Sequence, residues 1–239
     1  MKKIKAIVAI MLGFSLLVVT SVQADENLIR ESINKAMPAF KIDSIQPSEM
    51  KGLYEVLSGA KIYYVSSNGQ YLFQDDHLID IKARKDLTEP KLVNIRVKKL
   101  KDMGEDQMII FKPKESKYTV SIFTDIDCGY CRKLHKEMDQ YLAEGITVQY
   151  MFYPRAGKGS SAYKKAVSVW CADDRNAALT KAKNGATLEP KDCDHPIDKH
   201  MELATDFEVR GTPMIVTENG TVLPGYVPAS RLAKVLANH

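Results

Sequence analysis

Phe123-Thr124-Asp125-Ile126-Asp127-Cys128-Gly129-Tyr130-Cys131-Arg132-Lys133-Leu134-His135 is the stretch on which the reading of this chain turns. It opens on the last two residues of a strand-like run, Tyr118 to Thr124. After it the pattern becomes helical, with Leu134, Met138, Tyr141 and Leu142 on one face and Gly145 as a stop. Two cysteines therefore stand where a strand hands over to a helix. At a helix start the unpaired N–H groups and the macrodipole favour a thiolate. A second thiol one turn on can attack a mixed disulfide intramolecularly. Cys128 is the expected nucleophile and Cys131 the expected resolving thiol. The alternative, half of a zinc site, requires a second paired motif, and Cys171 and Cys193 do not form one.

The flanking pattern extends this unit over residues 107–239. Met108 to Phe111 and Ile146 to Phe152 are strand-like. Helices are marked by Ala162, Ala166, Val167 and Trp170, by Ala177 to Lys183, and by His200, Leu203, Ala204 and Phe207 with Gly211 as the stop. Met214–Thr217 and Thr221–Leu223 read as a hairpin around Asn219-Gly220, and Leu232, Val235 and Leu236 as a final helix. The order strand-strand-helix-strand-helices-strand-strand-helix is that of an α/β, thioredoxin-like domain with a helical insertion. Such a domain uses a cis-proline facing the dithiol, and Thr212-Pro213 stands at the strand entry where it belongs. An ordinary trans proline is the alternative. Gly129, Tyr130, Thr212 and Pro213 are the candidate substrate-binding residues.

Cys171, ending a helix beside Trp170, and Cys193, in the Pro190-Lys191-Asp192 loop, are read as a structural disulfide. Closing such a loop is worth ~3 kcal/mol in the chain-entropy model. A second redox pair is the alternative, with no charge or helix-start feature near either cysteine to support it. His135 reads as a surface residue of the helix, with a thiol-tuning role as the sharper option. Arg132 and Lys133 could assist the thiolate by their charge. Many thioredoxins carry a buried Asp six residues before the first cysteine; here that position is Ile122, so Cys131 must lose its proton to another group or to water.

The first 24 residues read as a secretory leader: a basic start at Lys2, Lys3 and Lys5, an apolar run from Ala6 to Val19, and Val22-Gln23-Ala24 before the cleavage point. The run is shorter than the ~20 residues of a membrane anchor. The whole chain has 34 basic and 30 acidic residues; without the three leader lysines it holds 31 against 30, a net +1. Nothing in that balance calls for nucleic acid or an anionic membrane as partner. No metal or cofactor is expected. Export puts the thiols where disulfides persist, and a bacterial periplasm is the expected compartment. Residues 25–83 read as a small α+β module, with a helix through Leu28, Ile29, Ile33 and Met37 ended by Pro38, and strands at Leu53–Leu57, Ile62–Val65 and Tyr71–Phe73 about an Asn68-Gly69 turn. So small a unit buries little surface, and pairing with a second copy is one remedy. Residues 84–106 read as a linker helix with Pro90 in its first turn, Val93, Val97 and Leu100 as its stripe, and Gly104 as its stop. Lys98, Lys99 and Lys101 read as a solvated face, an anionic contact being the alternative.

The run from Phe123 to His135, together with Gly145-Ile146-Thr147-Val148, Trp170-Cys171-Ala172, Gly211-Thr212-Pro213, Asn219-Gly220-Thr221 and Pro224-Gly225-Tyr226, resembles the DsbC/DsbG family of periplasmic disulfide isomerases. DsbG proteins usually carry Pro inside the motif, so Gly129 points to the DsbC branch. The resemblance implies a V-shaped homodimer joined through N-terminal dimerisation modules, with linker helices holding two catalytic domains across a cleft. It implies reduction by a membrane electron donor of the DsbD type, misfolded disulfide-containing exported proteins as substrates, and chaperone-like client binding. Asp127 stands where a Thr is expected, and an acid there is expected to raise the nucleophile's pKa slightly. Two other readings are a DsbA-like oxidase and a non-enzymatic periplasmic folding or binding protein.

Overall fold

The computed structural model describes residues 16–58, 61–75 and 77–238. Residues 1–15 of the expected leader lie outside that set. Among the described residues no helix is long and apolar enough to cross a membrane. The chain divides into two compact units at Lys91/Leu92.

The first unit opens with helix α1 (Leu16–Ala36), followed by an antiparallel meander: β1 (Ser44–Pro47), β2 (Leu53–Ser58), β3 (Lys61–Ser66), β4 (Tyr71–Gln74), β5 (His77–Asp80) and β6 (Lys85–Asp86). Alternation along these strands sorts the side chains to two faces. Tyr54, Val56, Val65 and Leu72 go under α1 and pack with Ile29, Ile33 and Ile45. The opposite face carries Tyr64, paired in register with Glu55 and Phe73. The sheet is longer than the pattern suggested. β1, β5 and β6 are short, half-exposed strands without a continuous apolar signature, and β6 carries the sheet past the expected boundary at Ala83.

Helix α2 (Glu89–Met103) begins before the division and ends, as expected, at Gly104 with φ +80°. Beyond Leu92 it belongs to the second unit, where Leu100 and Met103 pack on a core cluster. The expected 84–106 segment is therefore not a free linker along its whole length. Lys98 pairs with Asp102 at 2.9 Å and Lys99 with Asp206 at 2.7 Å, a solvated face with local partners.

The second unit holds β7 (Ile109–Phe111), β8 (Tyr118–Thr124), α3 (Gly129–Lys136), α4 (Met138–Ala143), β9 (Ile146–Phe152), α5 (Ser161–Trp170), α6 (Arg175–Lys183), α7 (Ile197–Asp206), β10 (Met214–Thr217), β11 (Val222–Pro224) and α8 (Ala229–Ala237). The sheet order is β11-β10-β8-β9-β7, with β8 and β9 parallel and the other pairs antiparallel. All seven residues of β9 are buried, as a strand covered on both faces must be. Val120, Ile122, Val148 and Tyr150 face a cluster with α3 to α6 and α8; Phe123, Met151, Met214 and Val216 face one with α7. This is the expected thioredoxin-like domain with a helical insertion.

Two helix ends differ from expectation. The helix after the dithiol breaks at Glu137, whose N–H bonds back three residues to Leu134 O at 3.2 Å while its carboxylate is held by Lys133 and Tyr226. α7 stops at Phe207 rather than at Gly211. Glu208 takes the left-handed conformation (φ +52°), its N–H bonds to Thr205 O, and Val209 N–H bonds to Ala204 O, both at 2.9 Å. That Schellman pattern normally uses glycine. Here burial of Phe207 and Val209 on either side of Glu208 holds the turn.

Within the second unit the Asn219-Gly220 turn lies against Val93 and Val97 of α2. A Cβ at Gly220, where φ is +85°, would meet Val93 O at 2.5 Å. Gly220→Ala is expected to cost the second unit about 2 kcal/mol and lower its Tm by roughly 4–8 °C in calorimetry, with the dithiol chemistry unchanged. An unaltered Tm would mean that α2 does not bear on this turn.

Candidate active site

The turn from β8 into α3 is built by Asp125. Its carboxylate accepts from Asp127 N–H at 2.8 Å and from the backbone N–H and Nε of Arg155, both at 3.1 Å, while its carbonyl accepts from Cys128 N–H at 3.2 Å. Arg132 closes the turn by donating to Ile126 O at 2.9 Å. Cys128 thereby becomes the N-cap residue of α3, with extended φ and ψ, and Cys131 lies in its first turn. Both thiols are free, Cys128 4 % and Cys131 1 % exposed.

Thr212-Pro213 is the cis peptide bond that sequence position suggested, and it faces the dithiol: Cys128 Sγ donates to Thr212 O at 3.2 Å. The buried Thr212 hydroxyl has no hydrogen-bond partner among the described residues and favours the thiolate form of both cysteines. Such a donor has a use only when a thiolate forms.

Opposed effects set the two thiols apart. Burial pushes Cys128 up, but Thr212 and the N–H groups of Cys131 and Tyr130 stabilise its thiolate, and the net result lies below an ordinary thiol. Burial dominates at Cys131 and holds it above an ordinary thiol, against the pull of Lys183 and the Thr124 hydroxyl. The acid at Asp127 does not lift Cys128 above an ordinary thiol. Its carboxylate is taken up by Lys165 at 2.8 Å and Arg132 at 3.1 Å, which neutralises the charge before it reaches the sulfur. Arg132 is thus spent on Asp127 and on Ile126 O. Lys133 sits over the ring of Tyr226, 4.7 Å from its centroid.

Tyr130 is 65 % exposed, the most open aromatic beside the thiols, and stacks on Tyr226 at 6.4 Å between centroids. Gly129 has open space where a Cβ would stand. Cys171 and Cys193 are joined, with their Cα atoms 5.8 Å apart, away from the free pair in sequence and chemistry.

The surface reading of His135 is overturned. It is 5 % exposed, between Tyr150 OH at 3.4 Å and Thr180 Oγ1 at 3.0 Å, edge-on to Phe111. Burial, and then the charge of Lys183, push it down to about 4. Sequence reasoning misses Lys183 itself. It is 1 % exposed on α6, with Nζ donating to Thr124 Oγ1 at 2.7 Å and Asp125 O at 2.8 Å. Burial pushes it down to about 8. A signal is present in the sequence: Lys183 follows Leu179 by four residues, on the apolar face of its helix.

Two family descriptions match this chain: a thioredoxin-like domain over residues 104–239, and the N-terminal domain of disulfide bond isomerase proteins over residues 20–89. The thiol:disulfide interchange protein DsbC of Dickeya dadantii is 36 % identical over 217 residues, covering 91 % of this chain and 89 % of that protein. The DsbC of Escherichia coli K12 is 35 % identical over 218 residues, with the same two coverages, 91 % and 89 %. A crystal structure of a disulfide interchange protein from Neisseria gonorrhoeae is 30 % identical, with a TM-score of 0.51 over 57 % of this chain and 97 % of that one.

Proposed function

Since this chain belongs to the DsbC family of thiol:disulfide interchange proteins, and so is a thiol–disulfide oxidoreductase, we propose that it isomerises non-native disulfides in exported proteins through Cys128 and Cys131. The observation that carries this reading is a free Cys128 at the start of α3, held below an ordinary thiol and bonded to Thr212 O.

In the proposed cycle the Cys128 thiolate attacks a substrate disulfide and a substrate thiolate leaves. The thiolate is itself the nucleophile, so this step needs no further base. The freed substrate thiolate can then attack another substrate disulfide or return to the mixed disulfide, which reshuffles pairings with no net electron transfer. Alternatively Cys131 attacks Cys128 Sγ, forming the Cys128–Cys131 disulfide and releasing reduced substrate. The second route needs a reductant, for which a membrane donor of the DsbD type is proposed. Clients are proposed to lie along the Thr212-Pro213 segment, with Gly129 leaving room at the motif and Tyr130 as an exposed apolar contact.

The molecule is proposed to work as a periplasmic homodimer. The apolar leader pattern and the Cys171–Cys193 bond suit an oxidising compartment. On the first unit, Met50, Ile62, Tyr64 and Phe73 are 66, 57, 41 and 45 % exposed, an apolar surface of the kind that pairs. Tyr64→Asp is expected to convert dimer to monomer in sedimentation and lower isomerisation by roughly tenfold, leaving reduction of a small disulfide intact. A dimer that persists removes this face as the pairing surface.

The deciding experiment presents a protein with scrambled disulfides, with and without reductant. Catalytic recovery of native pairings by the reduced protein is expected. Fast oxidation of dithiols with no reshuffling overturns the isomerase reading.

A further inference from the structure

Resolution by Cys131 requires the loss of its proton, and the surroundings make that difficult. The thiol is 1 % exposed, so water has little access. Ile122, at the position an acid would occupy, is fully buried in an apolar cluster. The buried carboxylate of Asp125 is already held by Asp127 N–H and by two donors of Arg155. His135, on the same helix as Cys131, is directed at Tyr150 and Thr180.

Lys183 is differently placed. Among the described residues no carboxylate pairs with it. Its Nζ is bonded to two neutral oxygens, Thr124 Oγ1 at 2.7 Å and Asp125 O at 2.8 Å. The charge of Lys183 and the Thr124 hydroxyl, itself fully buried, both favour the Cys131 thiolate. The buried amine and hydroxyl are thus joined to each other, and both act on the sulfur that has to ionise.

We propose that Lys183 and Thr124 take the proton from Cys131 during resolution of the mixed disulfide, the role that a buried acid on β8 cannot play in this chain. This rests on the reading of Cys131 as the resolving thiol. The neutral Lys183 amine accepts the Thr124 hydroxyl proton as the hydroxyl accepts that of Cys131. The net change is one thiol and one amine to one thiolate and one ammonium. The thiolate attacks Cys128 Sγ, the Sγ–Sγ bond forms, and the bond from Cys128 to substrate breaks, its electron pair leaving on the substrate sulfur. Solvent protonates that sulfur and later takes the extra proton from Lys183. Lys183 acts through Thr124 and is a positioning residue for the proton.

The surrounding charges suit the role. Burial brings Lys183 down to about 8, low enough for a neutral fraction near physiological pH. Cys131, Asp125 and Cys128 pull in the opposite direction and Arg132 adds to the lowering. His135 also faces Lys183 and stays neutral.

The test follows one turnover of the full-length reduced protein with a peptide disulfide by rapid mixing. Attack by Cys128 and resolution by Cys131 are timed separately across pH 6 to 10. Native resolution is expected to rise with pH and level off once Lys183 is neutral. Lys183→Met is expected to slow resolution roughly 100-fold and to make it rise with hydroxide throughout, with the attack step unchanged. Thr124→Val, which removes only the relay hydroxyl, is expected to give the same profile. An unchanged attack rate in either variant shows that its site is folded. Resolution with the native rate and profile in both variants overturns the proposal. A Cys131→Ser protein that releases substrate as fast as the native one overturns the resolving role of Cys131, and the proposal with it; trapping of the mixed disulfide supports both.

Discussion

Cys128→Ser is expected to abolish thiol–disulfide exchange, by at least about three orders of magnitude in the scrambled-substrate assay, while the fold survives. The loss follows from ionisation and sulfur chemistry. In the proposed cycle the native residue attacks as a thiolate, stabilised by Thr212 and by the N–H groups of Cys131 and Tyr130 at the start of α3. A serine hydroxyl in the same place stays protonated and forms no disulfide. The fold survives because the change is small and the local bonds do not depend on sulfur. Asp125 and Arg132 hold the turn, and a serine hydroxyl can still donate to Thr212 O. Cys131→Ser separates the two roles. It leaves the attacking thiol in place and is expected to accumulate the mixed disulfide, visible as a covalent adduct by intact mass. A Cys128→Ser protein that retained full folding activity would point to a non-enzymatic binding role.

The features legible in the sequence are those fixed by local rules. The strand-to-helix handover at Cys128, the Thr212-Pro213 position and the Asn219-Gly220 hairpin each depend on a few neighbouring residues and on period. The disagreements come from side chains whose partners are remote in sequence. Beside Cys128 alone Asp127 is an uncompensated acid, but Lys165, 38 residues on, takes its charge. His135 belongs to the polar face of an isolated helix until β9 and α6 cover it with Tyr150 and Thr180. Lys183 comes from the helical insertion, and its approach to Thr124 across 59 residues follows only from the packing of α6 on the sheet. Glu208 shows the converse: local rules put the helix stop at a glycine, and burial of Phe207 and Val209 moves it.

Acid is expected to destabilise the catalytic unit steeply between pH 6.5 and 4, before the bulk of the carboxylates titrate. Two buried histidines cause this. His200 is fully buried, its Nδ1 accepting from Phe152 N–H at 3.2 Å and its Nε2 donating to Gln107 O at 2.6 Å, which fixes the neutral tautomer. Burial holds both His200 and His135 down to about 4. In the unfolded chain each returns to about 6.5. Between those values the unfolded state binds more protons, so the histidine contribution is complete above pH 6.5 and is lost as pH falls toward 4. Each costs on the order of 3 kcal/mol at the acid end, and the pair together rivals the roughly 5–15 kcal/mol that stabilises a typical domain. Denaturant unfolding at pH 7.0, 5.5 and 4.5 can be followed by the fluorescence of Trp170, the one tryptophan of the chain, which lies edge-on to His200 at 6.1 Å. Stability that is flat across this range would refute the neutral burial of both rings. The two histidines are also separable. The charge of Lys183 is the second cause of the His135 shift and no part of that at His200. Lys183→Met is therefore expected to narrow the acid window of His135, raising stability near pH 5 relative to pH 7, and to leave the His200 contribution in place.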